Sequence, residues 1–260
     1  MEKIEIHRVL KIRGEKDKTI SDEIIREVPF TIFLNGLELV TILCTPEYIP
    51  DLAVGYLYTE RIIKKADDIS SLKFDEKKSS VSVVLTGRNF SAEALREAET
   101  IEPGCFSTRS FFRVSGVELL SKVESDQALS RDNIAALIRD VHKSSILYAT
   151  TGGVHNAALC EPDKLLFFSE DIGRHNAVDK VIGRCINNNI SIDDKIIITS
   201  GRISSAILQK IVRASVPILI SRSAPTSEAI RLSNVFGVTL IGFARGKRFN
   251  VYSNSYRIIT

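Results

Sequence analysis

The sequence predicts an α/β sandwich built on a mixed sheet, with a smaller β-rich part at its N-terminal end. Two observations carry this. From Ser145 onward short apolar runs alternate with amphipathic segments of helical period, the pattern of parallel strand pairs covered by helices. Before about residue 115 the chain reads mainly as hairpins. The composition, 44% hydrophobic and 26% charged over 260 residues, is that of an ordinary globular chain with material for a sizeable core. A division into residues 1–115 and 116–260 is expected, weakly marked, and compatible with one integrated domain.

In chain order, VPFTIFLNGLELVTILCT reads as two strands joined by a type I′ turn at Asn35-Gly36. TPEYIPDLAVGYLYTERII reads as a helix with Thr45 before Pro46 at the first helical position. SSLKFDEKKSSVSVVLTG gives strand, polar turn and strand, and SAEALREAE a short helix. Ile101 to Arg113 breaks the regularity: Pro103-Gly104, Ser107, Thr108 and Ser110 place Cys105 on a mobile loop. Helices are expected at VELLSKVESD and at SRDNIAALIRDVHKSS, the latter capped by Ser130. SILYATTGG, VHNAALCE and KLLFFSED read as strands. IGRHNAVDKVIGRCINN is a helix with Ala177, Val178, Val181, Ile182 and Cys185 on its apolar face. KIIIT, PILIS, VTLIGFA and FNVYS are further strands. SSAILQKIVRAS and SAPTSEAIRLSNVFG are helices, the second with Pro225 near its start and Gly237 at its end.

No apolar run approaches the roughly 20 residues needed to cross a bilayer, and the first residues lack the apolar stretch of a secretory signal. A cytoplasmic protein that meets no membrane and no nucleic acid is expected. Of the four cysteines, Cys44, Cys160 and Cys185 sit in apolar surroundings and read as small core residues. Cys105, with Arg109 and Arg113 downstream, has the setting of a reactive thiolate, because cationic neighbours lower a thiol pKa. The spacings suggest no disulfide framework and no metal site.

Charge is unevenly distributed. Residues 195–260 contain ten Lys and Arg against Glu228 alone, although the whole chain carries only +3. Such asymmetry points to an anionic ligand; scattered cations balanced by acids elsewhere in the fold are the alternative. SGRISS and SAPTSEA place hydroxyls and backbone N–H groups where a strand enters a helix, which suits either anion binding or ordinary N-capping. In GFARGKRFNVYS, Arg245, Lys247 and Arg248 could grip phosphate, and Phe243 could stack on a base or pterin. Asp171 reads as a helix cap, with Arg174 and His175 facing a cleft. His155 and His175 read as hydrogen-bonded structural groups.

These blocks, in order, resemble the signature of the FdhD/NarQ family of formate dehydrogenase accessory sulfurtransferases. The likeness runs from about Val28 to Ser253 and is most specific at EDIGRHNAVDKVIG and GFARGKRFNVYS. It implies a core related to the cytidine deaminase fold and a homodimer. It also implies that Cys105 accepts persulfide sulfur from a cysteine desulfurase. That sulfur would pass to bis-molybdopterin guanine dinucleotide before the cofactor enters the formate dehydrogenase catalytic subunit. The cofactor-binding stretch would be Phe243, Ala244, Arg245, Gly246, Lys247 and Arg248, with GDP or GMP as fragment mimics. Gly104-Cys105 matches the start of the family's G-C-x-x-C loop, but Thr108 replaces its second cysteine. One sulfur atom suffices for a persulfide, whereas a relay through a resolving thiol in this loop is lost. Two other readings stand beside this one. A cofactor-binding chaperone would need the basic site but not Cys105. A zinc-dependent nucleotide deaminase would need H-x-E and P-C-x-x-C, whereas His155 is followed by Asn156-Ala157 and Cys105 has no partner at Thr108.

Overall fold

The computed structural model describes residues 1–14, 16–87 and 120–259. Cys105, the expected helix over SAEALREAE and the expected boundary at residues 115–116 lie outside the described residues. Strands β1 (Ile4–Arg13) and β2 (Lys16–Ile25) form an antiparallel ribbon that the sequence reading did not identify. Its Ile6, Leu10 and Ile12 are 73%, 60% and 66% exposed.

The smaller sheet has strand order β4-β3-β6-β5, from β3 (Val28–Leu34), β4 (Leu37–Cys44), β5 (Ile69–Asp75) and β6 (Ser80–Leu85). Asn35 and Gly36 turn the β3–β4 hairpin with φ of 49° and 83°, the two left-handed residues that a type I′ turn requires. Phe30, Ile32 and Leu34 point alternately inward onto Leu52 and Leu57 of helix α1 (Ile49–Thr59). This helix starts later than the sequence suggests. Tyr48 occupies the cap position and Pro50 the first turn, because Thr45 is engaged elsewhere. The Thr45 N–H donates to Asp171 Oδ2 (3.1 Å), and its hydroxyl accepts from the Ile172 N–H (3.2 Å).

The larger sheet is mixed, with order β13-β12-β11-β10-β8-β9. Its strands are β8 (His155–Cys160), β9 (Leu165–Asp171), β10 (Ile196–Thr199), β11 (Ile218–Ser221), β12 (Thr239–Arg245) and β13 (Arg248–Ser253). The neighbours β10, β11 and β12 are parallel and the outer pairs antiparallel. One face, with Ala157, Leu159, Ile197, Leu219 and Leu240, packs on α4 (Arg174–Asn187), α5 (Ser205–Arg213) and α6 (Ser227–Phe236). The opposite face, with Ala158, Ile196, Ile198, Ile220 and Ile241, packs on α2 (Arg131–Ser144). This is the α/β sandwich with parallel strand pairs that the alternating pattern predicts. Ser130 caps α2 by accepting from the Asn133 N–H at 3.1 Å, and Gly237 closes α6 with φ of 73°. The short β7 (Leu129–Ser130) and β14 (Ile258–Ile259) pair in parallel beside this core.

Two expectations fail. SILYATTGG is not a strand: Ile146–Thr151 forms helix α3, ended by Gly152 at φ 68°. Its first N–H groups, those of Leu147 and Tyr148, each donate to the Glu170 carboxylate at 2.9 Å, a distant cap that local pattern does not encode. VELLSKVESD is irregular over its described part. Val123 is buried, and its N–H donates to Phe236 O (2.8 Å) at the end of α6.

The two sheets are joined where α1 crosses α4. A side-chain carbon on Gly55 would lie 1.8 Å from Asp179 O, and one on Gly183 would lie 1.8 Å from Asp51 O. The helices therefore meet backbone to backbone. We expect Gly183→Ala to force them apart and to cost about 1–3 kcal/mol or more. The check is a lowered urea midpoint at unchanged slope; a midpoint equal to wild type would refute the crossing.

Candidate functional site

The strand registers bring five chain segments to one end of the larger sheet. Thr199 lies beside Ser221 across the parallel pair and beside Ala157 across the antiparallel one. His155 is thus level with the turn after β10, and it opposes Asp171 at the end of β9. On the other side β12 runs on from Ile241, the partner of Ile220, into the basic hairpin. The carboxyl ends of parallel strands are where open α/β sheets bind ligands.

The hairpin has an unusual backbone. The register shifts between Gly242 and Arg245, and Phe243 holds φ at 52°, a left-handed conformation costing about 1–3 kcal/mol for a bulky residue. The Phe243 N–H donates to Ser223 O (3.1 Å), which ties it to the turn after β11. Gly242 fits there because a side-chain carbon would sit 2.9 Å from Tyr252 Cε2 and 3.0 Å from Pro225 Cδ. The result turns the Phe243 ring outward, 45% exposed, while Ala244 is fully buried. Arg245 directly opposes Arg248, and Gly246 turns the tip at φ 58°. Arg245, Lys247 and Arg248 are exposed, and none is paired with a carboxylate among the described residues. Like charges held opposite one another are unfavourable unless an anion lies between them.

The rest of the C-terminal charge divides. Lys210, Arg231 and Lys195 are committed to Asp179, Glu228 and Asp194, and Arg257 is buried with its guanidinium donating to Gly237 O (2.7 Å). Arg213 donates to Thr59 O, half-buried Arg222 lies 3.3 Å from His142 Nδ1, and Arg202 stands exposed at the turn after β10. In SGRISS and SAPTSEA the hydroxyls cap their own helices. Ser204 accepts from the Ile207 N–H and Thr226 from the Ala229 N–H. The two turns are stitched together by the Ile203 N–H to Ala224 O (3.1 Å) and the Thr226 N–H to Ile203 O (2.9 Å). The capping reading of these hydroxyls is the one the structure supports.

Behind the turns lie two buried ion pairs that the sequence reading missed. Lys180 and Asp171 are both fully buried, with Nζ 2.6 Å from Oδ2. Asp171 also accepts from the Gly173 N–H (2.8 Å) and Asn176 Nδ2 (2.9 Å), so it holds the approach to α4 without being its cap residue, which is Gly173. Lys210 donates to both Asp179 oxygens (2.9 and 2.7 Å) and to Thr59 Oγ1 (2.9 Å). The sequence signal was Asp179-Lys180 set between Val178 and Val181 on an apolar helix face.

His155 and His175 converge on this region. His155 Nδ1 lies 3.4 Å from Ser200 Oγ, which also accepts the Asn156 N–H at 2.9 Å. Burial holds His155 below the usual imidazole pKa, aided by the Arg174 charge. Burial, with the charges of Lys210, Arg174 and His155, lowers His175 to about 3. His175 Nε2 is buried without a hydrogen-bond partner among the described residues, against the satisfied structural role expected of it. Cys44, Cys160 and Cys185 are buried as expected, and burial pushes each thiol up to about 12. Among the described residues no group of three His, Cys, Asp or Glu could hold a metal ion, and no helix is long and apolar enough to cross a membrane.

Fold and site define an α/β protein with a cationic rim at the carboxyl ends of its parallel strands. The chain belongs to the FdhD/NarQ family, whose model matches residues 25–259. It is 40% identical over 246 residues to the sulfur carrier protein FdhD of Bacillus subtilis (strain 168), covering 95% of this chain and 94% of that one. It is 38% identical over 260 residues to that of Listeria innocua, covering 99% and 100%. A crystal structure from Desulfotalea psychrophila, described as a formate dehydrogenase accessory protein, superposes with a TM-score of 0.83 at 26% identity, covering 99% of this chain and all of that one.

The depressed pKa of His175 has a signed consequence. Its contribution to stability is complete above the ordinary value of 6.5 and is lost as pH falls from there towards about 3. NMR titration is expected to find the folded imidazole neutral through 6.5, and His175→Gln is expected to flatten the acid side of the stability curve. Protonation of His175 at its ordinary pKa would contradict the packing described.

Proposed function

We propose that this chain carries sulfur on Cys105 for formate dehydrogenase maturation. In this reading the Cys105 thiolate attacks the outer sulfur of a cysteine desulfurase persulfide. The new S–S bond forms on Cys105 as the donor cysteine leaves as thiolate. The outer sulfur would then pass to bis-molybdopterin guanine dinucleotide, bound as substrate, with Cys105 leaving as thiolate and the reduced acceptor supplying the two electrons that bring the sulfur to the sulfide level, before that cofactor enters the catalytic subunit. The carrying observation is the chemistry of the other thiols. Three of the four cysteines are buried with pKa values near 12, so they present almost no thiolate at neutral pH. The sulfur-carrier names of relatives similar over nearly the full chain support the same reading.

Phe243 through Arg248 would hold a guanine nucleotide end, with the exposed ring against a flat heterocycle and the three cations on the diphosphate. A cofactor with two such ends suits a twofold dimer with one nucleotide site per chain, working in the cytoplasm. Thr108, in place of a second loop cysteine, favours one competitor, a cofactor-binding chaperone without sulfur chemistry.

Three experiments test this. Incubation with a cysteine desulfurase and cysteine should add one sulfur to Cys105 by mass spectrometry. Cys105→Ser should abolish formate dehydrogenase maturation while leaving the fold intact; normal maturation by that variant would leave only the chaperone. By calorimetry GDP should bind more tightly than ADP, and Arg248→Ala should weaken GDP by about tenfold or more. Equal affinity for the two nucleotides, or no loss in the variant, would reduce the hairpin to solvated surface.

A further inference from the structure

The β1–β2 ribbon belongs to none of the buried cores among the described residues. Its base is tied to the body by Met1 N to Glu76 (2.7 Å) and Lys3 to Glu47 (2.7 Å). Ile25 packs on the turn before β8, where a side-chain carbon on Gly153 would meet Ile25 Cγ2 at 2.7 Å. From there the strands run in unbroken register for ten residues each, a reach of roughly 30 Å. A two-stranded ribbon by itself is marginally stable in water. Cross-strand partners share a face, so the register sorts the side chains. One face carries Ile6, Leu10 and Ile12, all exposed. The other carries Lys11 opposite Lys18 and Arg13 opposite Lys16. These four cations are exposed, and none is paired with a carboxylate among the described residues. Like charges directly opposite one another destabilise a ribbon. Asp17 gives no relief there, because it stands on the aliphatic face opposite Ile12.

We infer that this ribbon is the arm by which the chain docks on the protein that receives its cofactor, entering a cleft with one acidic wall and one apolar wall. The two faces decide the kind of partner. A nucleic-acid backbone would neutralise the cations and leave the aliphatic face in water. A lipid surface would take the aliphatic face and hold the cations on the side away from the headgroups. A protein cleft covers both faces at once, with apolar contact on one side and charge pairing on the other. The seat of the arm decides which protein. The arm stands at β8, three strand spacings from β12, or about 14 Å. Arm and cofactor-binding hairpin can therefore be occupied together. Handover needs the recipient on the chain while the hairpin still holds the cofactor, whereas loading by a sulfur donor needs no such overlap. The choice of recipient rests on the proposed function; the two-walled cleft rests on the ribbon alone.

The test uses the full chain and the formate dehydrogenase catalytic subunit purified without its cofactor, with affinity measured by biolayer interferometry at low and high salt. Ile6→Thr with Ile12→Thr strips the aliphatic face while keeping β-branched residues, and Lys11→Gln with Lys18→Gln removes one opposed pair. Each double variant is expected to bind about tenfold or more weakly, and the lysine variant to lose much of the salt dependence. A urea midpoint equal to wild type reports an intact body in each. In the wild type, bound subunit should slow amide exchange along both strands of the ribbon, a measurement that stands even if a variant fails to fold. Unslowed exchange, or undiminished affinity in either variant, would overturn the inference and leave the lysines as guards against edge pairing. Ribbon-dependent binding of a cysteine desulfurase instead of the subunit would overturn the choice of recipient. Binding of duplex DNA or phosphatidylglycerol vesicles, weakened in one variant only, would overturn a protein partner. Sulfur loading of Cys105 is read separately by mass spectrometry, so the docking arm and the sulfur-carrier reading can fail independently.

Discussion

The structure depends on a contact between two helices that carry no side chains where they touch. Gly55 of α1 and Gly183 of α4 let the backbones close on each other, with the carbonyls of Asp179 and Asp51 lying where a methyl group would otherwise be. The approach places Asp179 within reach of Thr59 on α1 and Lys210 on α5, so three helices share one buried polar knot. At the next position along α4, Lys180 is drawn into the interior to meet Asp171, Thr45 O and Glu170 O. Removing one partner of such a pair typically costs about 3–5 kcal/mol, because the remaining charge stays buried. The same pairs would add little over well-packed apolar residues, so their value lies in fixing which helix faces meet.

That fixation explains how the rim is built. Asp171 orients the chain entering α4, and the first residues of α4 are Arg174 and His175. The parallel strands supply the turns, and the strained Phe243 backbone, tied to Ser223, sets the hairpin beyond them. Among the described residues, the side chains of the candidate site are held by elements whose own positions are settled by buried contacts. Polar groups so anchored need little reorganisation when a ligand arrives.

Local chemistry made much of this legible in the sequence. The Asn35-Gly36 turn, the Ser130 cap, the Gly237 stop and the apolar face of α4 each depend on neighbours within a few positions. The failures share the opposite property. Ile146–Thr151 is apolar enough to read as a strand, but Glu170, 23 residues from Leu147, supplies the cap that makes it a helix. Thr45 looks like an N-cap but is held by Asp171, 126 residues away. At the site, the cations and the exposed ring of the hairpin were visible as a cluster. The His175 environment was not, because it arises from strands and helices meeting in space. The β1–β2 ribbon escaped notice because its apolar residues are largely exposed and its charges interrupt the pattern.

The knot between α1 and α4 also bears on how the chain is made. Thr59 and Asp179, which share a hydrogen bond, are 120 residues apart. At a synthesis rate of about 5–20 residues per second, the ribosome needs on the order of ten seconds to supply the second after the first. During that interval α1 and its small sheet have no α4 to cover the glycine-lined flank of the helix. Closing so long a loop also delays any contact that depends on it. The nascent N-terminal portion is therefore the stage of biogenesis most exposed to unwanted association, and the arrival of α4 ends that exposure.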